Sequence, residues 1–284
     1  MLEELYSLEF IEKHSIIAFV MGLAYSVIGI GAALILFPED PAIVAVAFTA
    51  IMIVPTLRKL LKREEETESK KEGFSLFGFF FDHKTIFKVY VFLFLGILLS
   101  FSIFALVLPS LATNYIFKNQ IDVLYGATTG GAVFSSGLFK SIFFNNLGVL
   151  ILCFIAAFIF GDGAIFLLVW NASVWGTIFG NLAKTAALNV GQNPFIYFII
   201  VFVVVFPHMI LEAFSYFCSA SAGGIISKAI IKESFFSEKF LRIIKNTLIL
   251  FVFAAIVLVI AVTIETYVLG NVEVYKIIIQ RSFL

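Results

Sequence analysis

Residues 194–231 read PFIYFIIVFVVVFPHMILEAFSYFCSASAGGIISKAII, and the fold of the chain turns on this run. A helix at a protein–water boundary carries a polar face. This run is apolar all round, as a helix surrounded by hydrocarbon is. A membrane core about 30 Å thick needs about 20 such residues. At 1.5 Å per residue a helix of this length would reach ~57 Å, so it does not fit one straight perpendicular pass. Either the helix kinks at Pro207 and protrudes, or it breaks there and turns back. Pro207 removes one helix hydrogen bond and its ring crowds the Val203 carbonyl. His208 and Glu212 follow at once, and a charged side chain at mid-bilayer costs ~3 kcal/mol on insertion scales. Three such penalties in one turn and a half mark this segment as the place to look for function.

Composition agrees with a membrane setting. The chain has 284 residues, of which 61% are hydrophobic and 13% charged, with a mean hydropathy of +1.07. Soluble domains carry about 25% charged residues. Net charge is zero, which argues against nucleic acid as a partner. Cys153 and Cys218 both fall in apolar stretches and read as small apolar fillers. The expected fold is an all-α polytopic transmembrane helix bundle with six to seven membrane segments, one kinked or broken at Pro207.

Seven stretches are apolar enough to cross: 15–37, 41–57, 86–108, 141–160, 164–179, 194–231 and 247–268. They form a transmembrane domain over 15–268. Residues 1–14 are expected to be an interfacial helix, and 269–284 a C-terminal tail. Most of the 19 basic residues lie on one side, in Lys13, the charged 58–85 loop and the stretch from Lys228 to Lys245. Lys118, Lys140, Lys184, Lys276 and Arg281 lie on the other. The positive-inside rule then places the N-terminus and the 58–85 loop in the cytoplasm, and the 109–140 loop outside. A glycine-rich loop of about thirty residues is uncommon in a compact protein and often functional. Localisation is expected to be a cell membrane, multi-pass.

The polar residues within the spans are few. His208 and Glu212 are four apart and share a helix face, which Ser215, Tyr216 and Ser219 extend. Asn145 and Asn146 open the fourth span, and Asn171 lies in the fifth beside Trp175. Convergence of Asn145, Asn146, Asn171, His208 and Glu212 on one buried centre is an open expectation. Two readings of that centre stand side by side: a functional polar seam, or hydrogen bonds that hold helices together. Small residues give helix backbones room to approach. Gly176 and Gly180 in the fifth span, and Gly223 and Gly224 in the sixth, are the packing candidates.

Catalytic signatures are missing. A zinc protease needs two histidines four apart with an intervening glutamate, and no GxSxG or phosphate-binding glycine loop occurs. No catalytic residue, cofactor or metal is expected.

Phe144-Asn145-Asn146, the Gly161/Gly163 turn, Asn171 with Trp175-Gly176, Pro207-His208 with Glu212, and Gly223-Gly224 occur in one order over 141–232. In that order they resemble the stage II sporulation protein M family of membrane proteins. The stretch FPEDPAIVAVAFTAI at 37–51 resembles the archaeal branch of the family. The chain departs from the family where Ala172 and Met209 stand in place of glycine. The resemblance implies a non-enzymatic integral membrane protein, whose founding member scaffolds a complex that remodels the cell wall during engulfment. The expected function is therefore a scaffold or organiser of a membrane or envelope complex. Its partners would be the lipid bilayer and other membrane proteins, or a second copy of the chain. The alternative is a transporter or channel component with His208 and Glu212 in a polar path.

Overall fold

The computed structural model describes residues 14–68, 78, 84–128, 136–161 and 164–283. The interfacial helix expected over 1–14 lies outside the described residues, apart from His14. So do residues 69–77 and 79–83, half of the charged 58–85 loop, and residues 162 and 163 of the turn after the fourth span.

The described chain is helical. In order, α1 is Ile16–Leu36, α2 Pro41–Glu68, α3 Lys84–Val107, α4 Ser110–Ile116, α5 Lys118–Thr128, α6 Ser136–Phe160, α7 Ala164–Leu188, α8 Pro194–Lys232, α9 Glu238–Asn271 and α10 Glu273–Ser282. Seven of these, α1, α2, α3 and α6 to α9, are long and apolar enough to cross a membrane. Local chemistry sets several starts. Asn193 accepts a hydrogen bond from the Phe195 amide at 2.9 Å, and Pro194 follows at the first helical position, so α8 is capped. Ser237 accepts from the Phe240 amide at 3.1 Å at the head of α9, where Glu238 favours the positive helix end.

α8 is one continuous helix of 39 residues. It does not turn back at Pro207. Pro207 sits at an exposed position, as does Pro55 inside α2, so neither ring pushes into a neighbouring helix. A broken helix would release several backbone groups into hydrocarbon, whereas one proline leaves only one carbonyl short. α9 is also long, at 34 residues. Both exceed what a perpendicular crossing needs, so the α8–α9 hairpin must tilt or stand clear of the bilayer. Its turn is charged, with Lys239 and Glu233 paired at 2.6 Å, which suits water.

α7 is the seam of the bundle. It packs on α3 and α2 on one side and on α8 on the other. α1 closes against α2 and α3, while α8 holds α6 and α9. Glycine contacts set these distances. A Cβ on Gly180 would lie 2.6 Å from the Ser102 carbonyl oxygen, and one on Gly176 would collide with the Leu98 carbonyl. Ser102 uses this closeness: its hydroxyl donates to Gly176 O at 3.0 Å. Gly22 and Gly96 play the same part between α1 and α3, each facing the other helix's backbone.

Three sequence expectations change. The 109–140 stretch is not an open loop: it holds α4 and α5 and the start of α6. Phe117 is buried against Phe101, and the Gln120 side-chain amide donates to Ala42 O at 3.3 Å and Ser173 Oγ at 3.4 Å. Residues 269–284 are not a free tail. α10 packs on α7, burying Tyr275 and Ile278, and Arg281 donates to the Tyr197 hydroxyl at 2.7 Å. Lys184, read as an external basic residue, is buried at the end of α7. Its ammonium donates to Leu108 O at 3.0 Å and Thr113 Oγ1 at 2.9 Å, closing the C-terminus of α3 as a cation should.

Candidate site: a buried polar centre between three helices

α8 turns Val205, His208, Met209, Glu212, Ser215, Tyr216 and Ser219 toward the bundle and leaves Val203, Phe206 and Pro207 outside. The stripe follows from helical spacing, since positions three and four apart share a face. Glu212 is only 3% exposed. The Asn146 side-chain amide of α6 donates to Glu212 Oε1 at 3.1 Å, and Asn145 donates to Asn146 Oδ1 at 3.3 Å. Asn145 itself is exposed at the rim.

A second carboxyl completes the centre. Glu265 of α9 faces Glu212, and the two carboxyl groups lie within side-chain hydrogen-bonding reach of each other. A bond between carboxyls needs one proton held between them, because an ionised carboxylate only accepts. The Glu265 Oε2 atom is shielded and finds no partner among the described residues. Tyr216 lies within electrostatic reach of both carboxyls, and Tyr275 of α10 within that of Glu265. Burial, with the Glu265 carboxyl adding to it, raises the Tyr275 phenol well above its ordinary value.

Not every sequence candidate enters. His208 lies one turn before Glu212 and is 5% exposed, with Nδ1 lacking a hydrogen-bond partner among the described residues. Asn171 stays out: its amide donates back to Leu167 O of its own helix at 2.8 Å. Gly223 faces α6, where a Cβ would strike the Phe154 carbonyl, but Gly224 faces open space and contributes no close approach. Ser219 adds a bond that the stripe did not specify, donating to Leu150 O of α6 at 2.7 Å. Thus α6, α8 and α9 meet through Asn146, Glu212, Ser219 and Glu265.

Glu265 is the residue that sequence reasoning missed. Its signal was present, a lone carboxyl in the TIET stretch of an otherwise apolar span. Among the described residues no group of three or more His, Cys, Asp or Glu side chains could hold a metal ion. Cys153 and Cys218 are free and buried. The centre links helices α6 and α8 through side-chain hydrogen bonds within the membrane-spanning region.

No curated protein and no solved structure matches the chain. A family model described as stage II sporulation protein M matches residues 91–268. The match extends past the 141–232 motifs on both sides, taking in α3 from residue 91 on and the part of α9 that carries Glu265. More than half of the chain is covered, including the three helices that build the polar centre, and the protein is a multispan member of the stage II sporulation protein M family.

Proposed function

We propose that this protein is a non-enzymatic scaffold that organises a membrane or envelope complex, with other membrane proteins or a second copy as partners. The observation that carries the reading is where the intramembrane polar groups go. Glu212 bonds to Asn146 on one neighbouring helix and lies within hydrogen-bonding reach of Glu265 on another, which is the use of polar groups as interhelical links. A transport reading draws on two atoms, His208 Nδ1 and Glu265 Oε2, which are buried without partners among the described residues and would suit a proton path.

Reconstitution separates the two. As a scaffold, the wild-type protein in liposomes moves no protons or ions in a Glu212-dependent way, and Glu212→Ala lowers the yield of co-purifying membrane partners. Proton or ion flux that Glu212→Gln or Glu265→Gln abolishes would overturn the scaffold and establish the transporter.

The cytoplasmic N-terminus rests on the basic residues at the α2 end and the α8–α9 turn. Single cysteines at 66 and 118, in a background lacking Cys153 and Cys218, should label from opposite sides, with 66 accessible only after the cytoplasmic face is opened. Labelling of 66 in intact cells would reverse the topology. The archaeal-type branch rests on residues 37–51, outside the matched range.

A further inference from the structure

We propose that the groove between α2, α3, α7 and α8 binds an anionic phospholipid, its acyl chain in the groove and its headgroup against the basic residues at one end. The groove is lined by Leu57, Phe87, Phe94, Ile165, Phe214, Phe217 and other apolar side chains, with Tyr90 the one polar side chain in the wall. An ordered water needs two to four polar partners, which these walls do not provide. All four helices are membrane-spanning, so the occupant at hand is a hydrocarbon chain.

One end of the groove specifies the headgroup. Leu57 is followed directly by Arg58 and Lys59 on α2, and Phe87 lies between Lys84 and Lys88 on α3. All four basic residues are exposed. The stems of Lys59 and Lys88 can lie along the apolar wall while their charges reach the headgroup level. Glu64, Glu65 and Glu66 follow on α2, but five residues of helix put Glu64 ~8 Å further along the axis than Lys59. The combination of an apolar slot and two basic helix ends fits a lipid with a net negative headgroup better than a zwitterionic one. The polar centre plays no part in this, because Glu212 is not among the lining residues.

Trp175 reports on the groove, since its ring stands 5.6 Å from that of the lining Phe94. The chain has two tryptophans, so Trp170→Phe leaves Trp175 as the single emitter. This full-length variant would be placed in phosphatidylcholine nanodiscs containing rising fractions of phosphatidylglycerol or phosphatidylcholine with brominated chains. Brominated phosphatidylglycerol should half-quench Trp175 at about a tenfold lower mole fraction than brominated phosphatidylcholine. Lys59→Gln with Lys88→Gln should remove about tenfold of that preference, each juxtamembrane lysine contributing several-fold. Both lysines are exposed, so the double variant should melt like its parent, and thermal melting checks that it does. Equal half-quenching fractions for the two lipids, or a preference untouched in the folded double variant, would overturn the proposal.

Discussion

Gly223→Leu should leave little folded protein in detergent, while Gly224→Leu one residue along should fold almost as the wild type does. The difference lies in what each side chain would meet. A Cβ at 223 collides with the Phe154 carbonyl oxygen and comes within 3.1 Å of the Phe158 amide nitrogen, and both are backbone atoms that cannot rotate away. At 224 nothing lies within 4 Å. Forcing extra atoms into a close-packed contact costs ~1–3 kcal/mol. Here α6 must also move off α8, which breaks the Ser219 bond to Leu150 O and the Asn146 bond to Glu212. Intramembrane hydrogen bonds average about 0.6 kcal/mol each, so these losses add to the steric cost. Size-exclusion after graded heating measures the outcome. Equal melting of the two variants would mean that α6 and α8 do not touch at Gly223.

Glu212→Ala should destabilise the bundle by ~1–3 kcal/mol, the cost of leaving buried polar partners unmatched. Two groups lose their partner at once, the Asn146 amide and the Glu265 carboxyl. Glu212→Gln keeps the shape, can accept from Asn146 and can donate to Glu265, so it should melt close to the wild type. Glu265→Ala should cost a similar amount to Glu212→Ala. The double alanine variant should cost less than the two single changes summed, with a coupling of roughly 0.5–3 kcal/mol. Strict additivity in that cycle would show that the two carboxyls do not act together.

The sequence contained most of the membrane architecture because crossing a bilayer is a local requirement. About twenty apolar residues in a row suffice to declare a span, and hydropathy is read without knowing any neighbour. The start at Pro194 was equally local, whereas the seventh span, expected over 247–268, begins at Glu238. The stripe of His208, Glu212, Ser215 and Ser219 came from helical spacing alone, and all four side chains are buried.

What spacing cannot supply is the partner. Glu212 and Glu265 lie far apart along the chain, on helices whose rotation about their axes is set by packing against α6 and each other. The same rotation puts Gly223 against α6 and Gly224 in the open, and keeps Asn171 bonded to its own helix. Lys184 could be recognised as a cap for α3 only once α7 had been laid beside it. Residues 118–128 and 273–282 are too polar to announce themselves as membrane structure, yet they fold as α5 and α10 because buried side chains such as Gln120 and Tyr275 dock on the spans. Pro207 belongs to the same class. Its chemistry permits a break, but its exposed position on α8 lets the helix run on. By itself the sequence determined that this chain lives in a membrane as a helical bundle, because the solvent acts on each segment separately. Only the tertiary structure decided which polar groups meet, because that depends on how the helices turn toward one another.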